Sequence, residues 1–165
     1  MAPNIKYLKI QKEINEMINS LGGYWDEATC LLRINEELAE LIIEITANNT
    51  QKITEELADL MMVTLIFANK LKYTVNAKPL DNSFEYMAWL NKINIEIGQI
   101  ARNINANQGI KKPKANEQIT NSSINLENIA NLIMQYAIFY KINIEESIEK
   151  KIDIILKRDK RRFKK

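Results

Sequence analysis

Two short stretches of the chain carry acidic residues at helical spacing. Glu37 and Glu40 stand three positions apart, and after a gap of 15 residues Glu56 and Asp59 repeat that spacing. Residues three apart share one face of an α-helix, so each stretch would present an acidic pair. Four carboxylates gathered inside a helical bundle would repel one another and would be costly to desolvate, and a divalent cation would relieve both costs. Oxygen ligands of this kind suit Mg²⁺, with Mn²⁺ as the alternative.

The competing explanation is that these acids are ordinary solvent-facing charges on amphipathic helices. It would be sufficient for a single acidic pair. Two pairs at matched spacing, both set among leucines, favour the metal site instead. The flanking leucines are Leu38, Leu41, Leu57 and Leu60.

Composition excludes several other kinds of chemistry. The chain has 165 residues, no histidine and one cysteine. Without histidine there is no Ser-His-Asp or Cys-His nucleophile and no histidine-ligated zinc or haem. The lone Cys30 excludes an internal disulfide and any site built from several cysteines, a usage typical of a reducing cytoplasm. Carboxylates, lysines, arginines, tyrosines or hydroxyls must therefore carry any catalysis.

The formal net charge of +2 combines a basic C-terminal segment with a mildly acidic remainder of the chain. Residues 150–165 hold 9 basic and 2 acidic side chains, which leaves 14 basic against 19 acidic before them. Charges interrupt every apolar run well below the ~20 residues that a membrane span needs. Met1–Lys6 lack the apolar core of a signal peptide. We therefore expect a soluble cytoplasmic protein with no membrane partner.

The positions of the apolar residues predict helices almost throughout. With only four glycines and three prolines, the chain has too few turn residues for a many-stranded fold. The predicted fold is an all-α bundle of five to six helices. We expect helices over residues 4–20, 26–49, 50–70, 83–105, 122–140 and 144–163, with a loop over 106–121. Their predicted caps are Asp26, Thr50 or Thr54, Ser83, Ser122 with Ser123, and an Asn143–Glu146 capping box.

Two segments resemble two later ones. Residues 33–40 align with 92–99 at an offset of 59, and residues 55–60 align with 127–132 at an offset of 72. This predicts a duplicated helix pair with a 13-residue insertion in the loop, although chance similarity in an Asn- and Ile-rich chain is the alternative. We expect one domain over 1–165, with an active pair at about 26–75, a degenerate copy at about 83–141 and a basic C-terminal helix at 144–163.

The second copy has lost most of its acids. Glu56 and Asp59 correspond to Asn128 and Asn131, Glu36 and Glu40 correspond to Ile95 and Gln99, and only Glu96 remains. Amide side chains cannot supply an anionic ligand field. We therefore expect one working metal site in each chain.

The motif Glu36-Glu37-x-x-Glu40, followed by Glu56-x-x-Asp59, resembles the signature of the all-α nucleoside triphosphate pyrophosphatase superfamily. The closest resemblance is to its MazG-like members, which are related to the dimeric dUTPases and the dCTP pyrophosphatases. Trp25 before the first acidic helix and the closing stretch 144–153 fit as well. A departure is Ile154-Ile155, where the family usually has an asparagine, and this leaves one phosphate contact open.

The resemblance implies a reaction. Mg²⁺ held by Glu37, Glu40, Glu56 and Asp59 would bind a nucleoside triphosphate, and water would attack the α-phosphorus to give a nucleoside monophosphate and pyrophosphate. Glu36 and Glu37 would be the catalytic carboxylates, with Glu36 orienting the water or taking its proton. Simple solvation is the alternative role of Glu36.

The resemblance also implies substrate contacts and partners. Trp25 would stack on the base. The side chains that would bind phosphate are Lys151, Arg158, Arg161 and Arg162 on the last helix, with Lys111, Lys112 and Lys114 of the loop behind them. The ordinary alternative is that the basic residues interact with the helix dipole and that Trp25 anchors a helix in the core. A homodimer is expected, and the alternative is that the duplication replaces a family dimer within one chain. The activity would serve to clear unwanted nucleotides.

Two other functions stay open at this point. One is a non-catalytic helical interaction or regulatory module whose metal site has decayed. The other is nucleic-acid binding through the basic tail at 157–165, which we consider unlikely because no helix-turn-helix or aromatic RNA platform accompanies the tail.

Overall fold

A computed structural model of the protein describes residues 5–78, 84–109, 112–116, 119 and 121–159. Within these ranges the chain forms six α-helices and no strand, which confirms the all-α prediction. The helices are α1 (Ile5–Ser20), α2 (Glu27–Thr46), α3 (Thr50–Lys70), α4 (Tyr86–Asn107), α5 (Ser122–Phe139) and α6 (Ile144–Asp159).

Side-chain caps define where most of these helices begin. The Asp26 carboxylate accepts a hydrogen bond from the Thr29 backbone N–H at 2.8 Å, as predicted. The cap of α3 is Asn49 rather than Thr50 or Thr54. An asparagine oxygen accepts from an unpaired N–H at a helix start at least as well as a threonine does.

Two later helix starts also differ from the prediction. Helix α4 begins at Tyr86, and its cap is Glu85, whose carboxylate accepts from the Met87 and Ala88 N–H groups. The predicted start, Ser83, lies outside the described residues. Helix α5 begins at Ser122 as expected, but Asn121 caps it, and Ser122 is the first helical residue. Any side-chain oxygen that reaches the first free N–H groups can cap a helix, so neighbouring polar residues compete for the position.

The helix α3 lies at the centre of the bundle and packs against α1, α2, α5 and α6. Most residues from Leu57 to Ala68 are buried, because this stretch is apolar around nearly its whole circumference. The helices α2 and α3 form one hairpin and α4 and α5 another, and the hairpins meet through α2–α4 and α3–α5 contacts. That is the pairing expected of a duplicated hairpin. The duplication itself, and the domain limits drawn from it, stay predictions.

The last helix of the bundle is α6. Helix α6 is described as far as Asp159, so the last part of the predicted helix at 144–163 lies outside the described residues. Among the helices that are described, none is long and apolar enough to cross a membrane.

Candidate metal and phosphate site

Three carboxylates converge between α2 and α3. One oxygen from each of Glu37, Glu56 and Asp59 lies within 4.8 Å of the other two. The three-residue link at 47–49 turns α3 back along α2, so the acidic positions of the two helices face each other. Glu37 is only 5% exposed, the Asp59 side chain is 13% exposed, and Glu56 is partly buried. Two of the predicted acidic positions on α3 and one on α2 therefore form a compact set of oxygen donors.

Two cations contact this set. The Arg33 guanidinium donates to Glu37 and lies 2.5 Å from Glu36 Oε2. The Lys151 ammonium lies 2.5 Å from Asp59 Oδ2 and connects α6 to the site. Glu56 has neither of these cations as a direct partner within the described residues. The cluster therefore keeps negative charge that two cations do not fully balance.

Burial shifts the protonation equilibria of the three carboxylates more than their mutual charge does. Desolvation raises the pKa of Glu37 from 4.5 to about 7, against the opposing effect of Arg33. Desolvation also raises the pKa of Glu56, and the charges of Asp59 and Glu40 add to the shift. For Asp59, desolvation raises the pKa while the hydrogen bond and charge of Lys151 lower it. Each shift means that a nearby cation would favour the ionised carboxylate.

The other predicted acids lie at the rim. Glu40 is exposed and is not within the closest set of three, although its charge raises the pKa of Glu37, Glu56 and Asp59. Glu36 is also exposed, at 51% of its side chain, and is held by Arg33. The structure thus separates an inner set of carboxylates from an outer pair.

Of the residues predicted to bind substrate, Lys151 contacts the carboxylates through Asp59. Trp25 is 40% exposed and stands just before α2, where its backbone carbonyl lies 4.0 Å from the Cys30 thiol. Arg158 is exposed on α6, two helical turns after Lys151. Arg161 and Arg162 lie outside the described residues.

Arg33 is a site residue that the sequence reasoning overlooked. Its spacing to Glu36 and Glu37 is i,i+3 and i,i+4 on one helix, which is the spacing at which opposite charges pair. This spacing is the sequence signal that identifies Arg33 as a partner of the acidic residues.

A comparison with protein-family models agrees with this geometry. Residues 26–78 match the family model described as the MazG nucleotide pyrophosphohydrolase domain. Searches of curated proteins and of solved structures gave no significant match. The matched segment covers about a third of the chain and contains α2, α3 and every predicted metal ligand. Over residues 26–78, the chain is therefore MazG-like, with the all-α architecture that this resemblance implied.

Proposed function

We propose that the protein is a metal-dependent nucleoside triphosphate pyrophosphohydrolase, which converts a (d)NTP and water into a (d)NMP and pyrophosphate. The observation that carries the proposal is the convergence of Glu37, Glu56 and Asp59 inside the MazG-like segment. The alternative of a decayed site is disfavoured because these three carboxylates remain together and keep their charge only partly balanced. The alternative of nucleic-acid binding depends on a tail that lies largely outside the described residues.

The donor set fits a hard divalent cation. Carboxylate oxygens are the ligands that Mg²⁺ prefers, and Mn²⁺ is the alternative ion. In the proposal Glu37, Glu56 and Asp59 hold the ion, and Glu40 contributes from the exposed rim. When bound, the metal would supply charge neutralisation for the triphosphate and a lower pKa for a coordinated water.

The remaining steps belong to side chains of this chain. Glu36 is exposed and is fixed by Arg33, so its free carboxylate oxygen is available to orient a water and accept its proton. Lys151 would exchange its contact with Asp59 for one with a phosphate oxygen when the substrate enters. Arg158 and Arg161 are proposed as further phosphate ligands, and Trp25 as the stacking partner of the base.

We also propose a cytoplasmic location and a homodimer. The single cysteine, Cys30, is a buried free thiol, which suits a reducing compartment. Aliphatic side chains on α2 and α4 are unusually exposed: Leu32 at 68%, Ile43 at 62% and Ile95 at 60%. Burial of such side chains against a second copy would stabilise a dimer. Clearing unwanted nucleotides from the pool is the role that we assign to this activity.

The test is release of pyrophosphate from a panel of canonical and damaged ribo- and deoxyribonucleoside triphosphates, with Mg²⁺ or Mn²⁺. We expect turnover of at least one nucleotide, and Asp59→Asn should abolish that turnover. The matched control is Glu55→Gln, because Glu55 lies on the same helix but pairs with Lys52 at the surface. An inactive wild-type protein across the whole panel would refute the proposed reaction.

A further inference from the structure

The α4/α5 hairpin contains a cavity of about 140 Å³ that reproduces the carboxylate site position by position. Five residues line it. Under the offsets of 59 and 72 residues, each is the counterpart of a residue at or beside the first site. Lys92, Glu96, Asn128, Asn131 and Leu132 correspond in turn to Arg33, Glu37, Glu56, Asp59 and Leu60.

The chemistry of this second site differs from that of the first. At the corresponding positions the first site has one arginine and three carboxylates, whereas the cavity has one lysine, one carboxylate and two amides. The Glu96 carboxylate accepts hydrogen bonds from Asn125 Nδ2 at 2.7 Å and from Asn128 Nδ2 at 3.1 Å. These amide donors satisfy the carboxylate without a cation. The cavity therefore does not favour a divalent metal.

Hydrogen-bonding groups remain available around the cavity. Asn131 uses its Oδ1 to accept from the Lys78 N–H at 2.6 Å, and its Nδ2 makes no hydrogen bond within the described residues. Across the same part of the chain, the Lys92 ammonium makes no ion pair, and Asn128 Oδ1 accepts no hydrogen bond. The cavity thus presents hydrogen-bond donors and an acceptor beside the apolar Leu132. The opposite charges of Lys92 and Glu96 cancel.

We propose that this cavity binds the hydrogen-bonding edge of a nucleobase. Asparagine, glutamate and lysine are the side chains that pair with adenine, with the cytosine amino group and with guanine, respectively. Glu96 and the absence of net charge disfavour a polyphosphate. A cavity of about 140 Å³ is smaller than the ~300–1,000 Å³ of typical ligand pockets, which suits a single heterocycle better than a whole nucleotide. This assignment rests on the proposed function for the source of the base.

The experiment follows the amide signals of the isotope-labelled full-length protein by NMR during titration with nucleosides. The probes are adenosine, guanosine, cytidine, uridine and thymidine, in the presence of EDTA. Nucleosides carry no phosphate anhydride and need no metal, so binding is tested even if the protein hydrolyses nothing. We expect at least one nucleoside to cause saturable shifts of the Asn128 and Asn131 side-chain amides.

Three variants locate the binding. Lys92→Met should weaken it by about tenfold, because a charged hydrogen-bond donor is lost from an exposed position that is not needed for folding. Asn91→Met, the exposed neighbour outside the cavity, and Asp59→Asn, in the first site, should leave it unchanged. The proposal is overturned if no nucleoside gives saturable shifts, if Lys92→Met binds as tightly as the wild type, or if only Asp59→Asn loses binding.

Discussion

The Lys151 ammonium lies 2.5 Å from Asp59 Oδ2, and this ion pair joins the last helix, α6, to the central helix, α3. Both side chains are largely shielded, with 27% and 13% of their surfaces exposed. The lysine therefore contacts one of the three carboxylates that we propose as metal ligands. It is also placed to reach a phosphate that approaches the same point.

Because Lys151 is placed to contact both Asp59 and an incoming phosphate, Lys151→Met should strengthen metal binding and weaken hydrolysis. Without nucleotide, the variant should bind Mg²⁺ or Mn²⁺ several-fold more tightly, because a competing cation has been removed from Asp59. With nucleotide, kcat/KM should fall by about 10- to 100-fold, because a charged hydrogen bond to phosphate is lost. Calorimetry and steady-state kinetics measure the two effects.

The matched control is Lys150→Met. Lys150 is adjacent in sequence but pairs with Glu146 at the surface, at 2.6 Å. Its variant should match the wild type in both measurements. Equal behaviour of the two lysine variants would contradict the role given to Lys151.

Glu37 predicts a pH-dependent stability of the metal-free protein. The pKa of Glu37 is about 7 in the folded protein and about 4.5 in the unfolded chain, so the unfolded chain loses its proton first. Stability should therefore fall as pH rises from about 4.5 through about 7, and then level off. Glu37→Gln should reduce this slope and stabilise the metal-free protein at pH 8 by ~3 kcal/mol. The slope that remains should come from Glu56 and Asp59, whose pKa values burial also raises.

Urea unfolding in EDTA between pH 5 and 8 measures this effect. Glu36→Gln serves as the control, because Glu36 shares the Arg33 partner but is exposed. Its variant should keep the wild-type slope. A slope in Glu37→Gln as steep as that of the wild type would show that burial of Glu37 is not its cause.

The inner and outer acids should differ in their effect on hydrolysis. Glu56→Gln removes a member of the close carboxylate set and should lower kcat/KM by at least ~10³-fold, with a lower metal affinity. Glu40→Gln changes an exposed acid at the rim and should cost about tenfold, mainly as a higher metal requirement. Metal titrations of the initial rate separate the two cases. Equal losses would place Glu40 among the inner ligands.

The second cavity predicts that two substitutions can create a metal site. The double variant Asn128→Glu with Asn131→Asp restores carboxylates at the positions equivalent to Glu56 and Asp59, and the carboxylate introduced at position 131 keeps an oxygen for the Lys78 N–H. Mn²⁺ calorimetry should show twice the wild-type number of ions bound per chain. Circular dichroism establishes that the variant is folded. A folded variant with unchanged stoichiometry would mean that the two hairpins are not equivalent at this point.

Gly98 offers a prediction about the stability of the monomer. It lies within α4, and a Cβ added there would meet nothing within 4 Å in the chain. Gly98→Ala should therefore stabilise the monomer by about 0.5–1 kcal/mol, since glycine is unfavourable within a helix. Thermal unfolding at low protein concentration measures this gain. Destabilisation under those conditions would contradict the open surroundings of Gly98.

Local physical chemistry accounts for what could be predicted from the residues alone. The apolar spacing placed all six helices, the Asp26 cap was correct, and the i,i+3 acidic pairs identified three residues that do converge. These features depend on neighbours within about one helical turn, so a single sequence contains them. The lack of histidine limited the chemistry before any fold was known.

Packing decided the rest. Glu37 and Glu40 are only three residues apart, yet Glu37 is buried beside the acids of α3 whereas Glu40 is exposed. Lys151 reaches Asp59 only because α6 folds against α3. The bonds from Asn125 and Asn128 that satisfy Glu96 likewise connect different helices. Burial and contacts between distant residues arise from the arrangement of helices in space, which short-range sequence patterns do not specify.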